Sequence, residues 1–105
     1  MKPTSFTVNG HNVTIEDVKN NDTVSLFVYT IERGMKFVIK DYGGQIIISV
    51  IHNEESKEDV GSVTHAESLE HAKLIADEMI KCVTLEGFLA KRKEILKATK
   101  MALKK

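Results

Sequence analysis

The chain has 105 residues, near the commonest size of a single domain, so it can bury a core without disulfides or a structural metal. Its 42% hydrophobic and 29% charged residues are typical of a globular protein and exclude a disordered or fibrous chain. One cysteine excludes an intrachain disulfide, and no apolar run approaches the roughly 18 residues of a membrane span. With no signal-like apolar segment at the N-terminus, these features predict a cytoplasmic protein that does not enter membranes.

Charge is divided unevenly along the chain, although the formal net charge is zero. Residues 91–105 hold seven of the fifteen Lys and Arg residues and one acid, Glu94. The preceding residues therefore carry a net charge of −6 and the last fifteen a charge of +6. Such asymmetry between parts of a chain often marks an interaction surface.

The N-terminal part alternates apolar and polar residues, which predicts strands. Asn9-Gly10 tolerates positive φ at both positions and predicts a tight β-hairpin. Asn20-Asn21-Asp22 is typical of a turn, and the acidic stretch Asn53–Asp59 indicates a mobile loop. Every connection is too short for a parallel crossover, so we expect an antiparallel meander of five or six strands over about residues 4–64.

Two of the predicted strands, 24–31 and 45–51, are apolar on both faces. Such strands are typical of a sheet that is covered on both sides. One helix covers one side, so the other side requires the second helix, the N-terminal hairpin or a second copy of the chain. A twofold dimer is the simplest of these arrangements, and we therefore expect a homodimer.

The C-terminal forty residues change to helical periodicity. Ser68 is the predicted N-cap of a first helix, with a capping box of Thr64 and Glu67 as the alternative. Thr84 is the predicted N-cap of a second helix, and Gly87 disfavours one continuous helix. The sequence thus predicts a single α+β domain, residues 1–105, in which the sheet is followed by helices at about 66–82 and 85–104.

The second predicted helix is amphipathic and basic. Its lysines Lys93, Lys97, Lys100 and Lys104 form one row about 16 Å long beside an apolar stripe that includes Phe88. Arg92 lies within the apolar stripe, where its guanidinium must reach a carboxylate, extend to water or anchor an interface. The predicted partner-binding residues are Phe88, Arg92, Lys93, Lys97, Lys100 and Lys104.

Side chains that could support catalysis do not form a recognisable pattern. Glu67 and His71 are spaced to share one helical face, but two ligands do not make a metal site. Cys82 is predicted near the end of the first helix, the wrong end for lowering a thiol pKa. We therefore expect no catalytic residues, no metal and no cofactor, and hence not an enzyme.

Two classes of function fit this sequence. The first is a small non-catalytic regulatory protein, comparable in type to many bacterial and phage regulators, that binds a protein partner through its C-terminal helix or its acidic surface. A variant of this class would use the acidic body to imitate nucleic-acid phosphates. The alternative is a nucleic-acid-binding protein whose basic helix contacts phosphates.

Overall fold

The computed structural model describes residues 3–19, 24–53 and 61–104. The turn predicted at Asn20-Asn21-Asp22 lies outside these residues, as does the loop predicted at Asn53–Asp59 except for Asn53, which ends a strand. The described elements, in chain order, are β1 (Thr4–Val8), β2 (His11–Asp17), β3 (Ser25–Ile31), β4 (Met35–Tyr42), β5 (Gln45–Asn53), β6 (Gly61–Ala66), α1 (Leu69–Cys82) and α2 (Leu85–Leu103).

The strands form one sheet in the order β1-β2-β3-β4-β5-β6, and every neighbouring pair is antiparallel. The predicted α+β fold, a meander followed by two helices, is confirmed. At the first hairpin, Asn9 and Gly10 both have positive φ, 50° and 81°. Such values match a two-residue turn whose twist suits the flanking strands.

Both helices lie on the same face of the sheet. The core combines α1 residues such as Ile75 and Met79 with Leu85 and Phe88 of α2 and with alternate residues of the strands. The strand residues in this cluster are Val13, Tyr29, Ile31, Met35, Phe37, Ile39, Ile46, Ile48, Val50 and Val63. Tyr29 and Phe37 stack in its centre, with ring centroids 4.7 Å apart. The cluster therefore lies between the helices and one sheet face.

Neither α1 nor α2 lies over the opposite face of the sheet. Val38, at its centre, is only 3% exposed, yet it does not belong to the core cluster. Its cross-strand neighbours are Val28 and Ser49, and Lys36 and Lys40 flank it along β4. This face is thus more polar than the apolar strand patterns predicted. Neither α2 nor the hairpin covers it, and a homodimer stays a prediction.

A strained residue separates the two helices. Val83 has φ 67° and ψ −51°, which is rare for a β-branched residue. The Thr84 N–H donates to the Cys82 carbonyl at 2.7 Å, closing a γ-turn around Val83. Beyond the turn, the Thr84 hydroxyl accepts from the Gly87 N–H and caps α2 as predicted. The chain thereby reverses direction within two residues.

The turn at Val83 is held against the sheet by backbone contacts. The Met35 N–H donates to the Val83 carbonyl at 2.9 Å, which joins the start of β4 to the end of α1. Gly34 is buried at this contact, because any Cβ there would overlap the Val83 carbonyl oxygen and lie 2.9 Å from its Cγ1. A residue without a side chain is therefore required at position 34.

Helix α2 is joined to α1 by a buried polar contact. The His71 imidazole is 1% exposed, and its Nδ1 accepts from the Glu67 N–H at 3.0 Å. The Nε2 atom must then carry the proton and donate to the Thr99 hydroxyl at 2.9 Å. Thr99 in turn donates to the Ile95 carbonyl at 2.7 Å. All polar atoms of the neutral imidazole are thus satisfied.

The first prediction concerns Gly34. Replacing it with Ala forces the Val83 turn away from the sheet, because the new methyl group overlaps a backbone oxygen. We expect Gly34→Ala to lower the free energy of unfolding by about 1–3 kcal/mol, as measured by urea denaturation. Glu32→Ala, an exposed change in the same turn, is the control and should stay near wild type. Equal stability of the two variants would contradict the close approach of Gly34 to the Val83 carbonyl.

The second prediction concerns pH. Burial lowers the pKa of His71 below its ordinary value of 6.5, with the nearby Lys100 acting in the same direction and Glu67 opposing. Because the unfolded chain takes up a proton more readily than the folded protein, the stability is complete above about pH 6.5 and falls as the pH drops below it. Urea denaturation between about pH 5 and 7.5 measures this loss.

The matched variants separate His71 from the other histidines. His71→Gln should flatten the pH dependence in that window and lower stability at neutral pH, whereas His65→Gln, at an exposed position, should leave the pH dependence unchanged. A His71→Gln protein with the wild-type pH dependence would show that His71 is not the titrating group.

Thr99→Val leaves the imidazole N–H without its acceptor and should lower the free energy of unfolding by about 1–3 kcal/mol.

Candidate interaction surface

The structure divides the predicted partner-binding residues between the core and the surface. Phe88 is fully buried among residues of the core cluster, so the expectation that it contacts a partner does not hold in this structure. The reason is that the Val83 turn points the first half of α2 into the domain. Leu89, the next residue, is instead 47% exposed.

Arg92 extends to water, which is one of the three arrangements predicted for it, and also binds a backbone carbonyl, which was not predicted. Its side chain is exposed, but one guanidinium nitrogen donates to the Val63 carbonyl oxygen of β6 at 3.1 Å. Val63 lies where the pairing of β6 with β5 shifts register, between Thr64 and Ser62. Arg92 thus binds the backbone of an edge strand at a bulge, and its remaining N–H groups are available for other acceptors.

The four lysines of the row are all exposed, as the amphipathic pattern predicted. Lys100 lies 3.9 Å from a carboxylate oxygen of Glu67, at the limit of an ion pair between two half-exposed side chains. Such a contact contributes little. Within the described part of the chain, no carboxylate lies within ion-pair distance of Lys93, Lys97 or Lys104.

A shallow groove runs between β6 and α2. It has a volume of about 480 Å³ and is lined by Ser62, Val63, Thr64, His65, Arg92, Lys93 and Leu96. Arg92 and Lys93 form its cationic wall, the Ser62 hydroxyl and the His65 ring add polar groups on the strand side, and Leu96 supplies apolar surface. Because β6 is the last of the described strands in the sheet, the groove lies along an edge beside which no other described strand pairs.

We name this surface the β6–α2 groove and define it by Ser62, His65, Arg92, Lys93 and Leu96. Its helix side was predictable, because a row of lysines at helical spacing is visible in the sequence. Its strand side could not be predicted, because no local sequence pattern marks Ser62 or His65 as part of a binding surface. Only the packing of α2 beside β6 brings them within reach of Arg92.

The other candidate residues lie apart from this groove. Cys82 is partly buried at the end of α1, where burial raises the pKa of its thiol. His71 is committed to Glu67 and Thr99, so it is a structural side chain. Among residues 3–19, 24–53 and 61–104, no three His, Cys, Asp or Glu side chains are grouped so that they could hold a metal ion.

Neither α1 nor α2, the helices of the described chain, is long and apolar enough to cross a membrane. Comparisons of the chain with protein-family models, with curated proteins and with solved structures each found no match. The function therefore has to be inferred from the geometry and charge of the surfaces described above.

Proposed function

We propose that this chain is a small non-catalytic regulatory protein that binds an acidic, extended segment of a protein partner in the β6–α2 groove. The observation that carries the proposal is the arrangement of Arg92 and Lys93 beside a sheet edge. Both cations are exposed, and neither has a carboxylate partner among the described residues. Lys97 and Lys100 extend the same charge along α2.

The shape of the groove supports a polypeptide segment as its occupant. The groove lies between a strand and a helix, and its lining offers polar, cationic and apolar side chains to a segment that lies along it. Arg92 already binds one backbone carbonyl of β6, which holds its guanidinium beside this strand with further N–H groups left to donate. Carboxylates of the partner would then meet Arg92 and Lys93, while Leu96 contacts an apolar side chain.

Nucleic acid is the alternative partner, because the four lysines form a row about 16 Å long that could follow a phosphate backbone. The residues that line the described groove include no Phe, Tyr or Trp, and the His65 imidazole is the one ring among them on which a base could stack. The exposed Tyr42 is the last residue of β4 and does not line the groove. We therefore place the protein partner first. Binding through the acidic body remains a second route to such a partner.

The proposal predicts salt-sensitive binding of acidic peptides. We expect the purified protein to bind a labelled Glu- and Asp-rich peptide at about 50 mM salt and to lose it as salt rises. Lys93→Glu/Lys97→Glu should abolish this binding, because two attractive charges become repulsive. Fluorescence anisotropy measures both effects. The matched control is Lys73→Glu/Lys91→Glu, which makes the same charge change at two exposed helix positions outside both the groove lining and the lysine row.

Titration with oligonucleotides distinguishes a protein partner from a nucleic-acid partner. Single- and double-stranded DNA and RNA oligonucleotides of random sequence are titrated under the same conditions. Tighter binding of an oligonucleotide than of the acidic peptide, lost in the Lys93/Lys97 variant, would replace the proposed function with the nucleic-acid alternative. Absence of binding to either probe at low salt would contradict a role for the groove, as would equal losses in the control variant.

A further inference from the structure

The two edges of the sheet are protected to different degrees. At β6, the register shifts at Val63, and Arg92 covers the Val63 carbonyl. Bulges and charged side chains are the devices by which natural proteins prevent an edge strand from pairing with another chain. At the other edge, β1 pairs with β2 over all five of its residues without a shift.

Strand β1 has none of these devices. Its sequence, Thr4-Ser5-Phe6-Thr7-Val8, contains no charge and no proline, and four of its five residues are exposed. A β-branched or aromatic residue occupies every position except Ser5, and such residues favour strand pairing. A regular, uncharged edge of this kind is a template for a further strand.

The geometry of the β1–β2 hairpin decides which N–H and C=O groups of β1 point away from β2. A tight turn over Asn9-Gly10 joins Val8 to His11 as a hydrogen-bonded pair, and such pairs alternate with non-hydrogen-bonded ones along an antiparallel ladder. Phe6 therefore directs its N–H and C=O toward β2. Ser5 and Thr7 direct theirs away from the sheet, toward a position where a seventh strand would lie.

An apolar recess adjoins this edge on the helix side. Phe6 is 37% exposed, and with Val8 and Ile80 it forms the apolar part of a groove of about 250 Å³. Asp77 and Lys81 complete its lining and supply one charge of each sign. The recess is thus apolar at its base and electrically balanced at its rim, which suits an apolar side chain presented beside β1.

From these observations we propose that two copies of the chain pair through β1 in an antiparallel twofold dimer centred on Phe6. Twofold symmetry brings the same strand to both sides of the axis, so Ser5 pairs with Thr7 of the second copy, and Phe6 lies opposite its own counterpart. Each outward backbone group of Ser5 and Thr7 then gains a partner. The two Phe6 rings meet over the recesses and lose their exposure to water.

A second copy fits this edge better than an unrelated strand because β1 is complementary to itself. Centring on Phe6 pairs all five residues, and no like charges oppose one another within the strand. The result is a continuous sheet of twelve strands, two six-stranded sheets joined edge to edge. The β6–α2 grooves then lie at the two far ends. The dimer does not depend on the function proposed for those grooves.

Light scattering after size exclusion tests the dimer without any ligand. We expect a mass of twice 11.8 kDa for the wild type. Ser5→Lys/Thr7→Lys places like charges opposite one another across the axis and should raise the dimer dissociation constant about tenfold. Asn12→Lys/Thr14→Lys adds the same charge to β2, one strand inward on the same face, and should leave the dimer intact.

A cysteine cross-link tests the register. In a Cys82→Ala background, Phe6→Cys should form an interchain disulfide on mild oxidation, because directly opposed residues have Cα atoms about 4.5–5.5 Å apart. Thr4→Cys is the control. Two copies of Thr4 would lie about 14 Å apart in this register, too far for a disulfide.

Three results would overturn the proposal. The first is a monomeric wild-type protein at concentrations up to about 100 μM. The second is a dimer that survives the Ser5/Thr7 change and is lost in Ile47→Lys, because Ile47 lies on the uncovered sheet face. The third is efficient cross-linking through Thr4 and none through Phe6. Circular dichroism on each variant distinguishes a lost contact from a lost fold.

Discussion

The hydrogen bond from the Met35 N–H to the Val83 carbonyl is the contact on which the arrangement of the helices depends. It joins the end of α1 to the start of β4, and Gly34 permits the approach because it has no Cβ. Val83 adopts a positive φ that costs conformational energy for a β-branched residue. That cost is tolerated because the turn is held from both sides, by the sheet and by the two helices.

The direction of α2 follows from this turn and decides which of its residues reach solvent. Phe88 points into the core, and the His71–Thr99 contact holds the far half of the helix against α1. Arg92 and Lys93 are left facing β6. The same packing that stabilises the domain therefore creates the cationic groove, and a change at His71 is expected to affect both.

The two edges of the sheet present surfaces of different chemical character. The β6 edge combines a bulge, an arginine on the backbone and a row of lysines, which suits an acidic partner and opposes pairing with an uncharged strand. The β1 edge is regular and uncharged, which suits a second copy of itself. A dimer through β1 would present two grooves to a partner with repeated acidic segments, and linked sites of this kind bind more tightly than single ones.

Local patterns in the sequence determined the fold class, the hairpin at Asn9-Gly10 and both helix caps, because turn geometry and capping depend on neighbouring residues. Ser68 accepts from the His71 N–H at the start of α1, and Thr84 accepts from the Gly87 N–H at the start of α2, both as predicted. Local patterns also determined the lysine row, since helical spacing alone puts these residues on one side. They did not determine that both helices share one sheet face, that Phe88 is buried or that Arg92 meets β6. Those features depend on contacts between residues far apart in the chain, such as Met35 with Val83 and His71 with Thr99, and only the tertiary structure decides them.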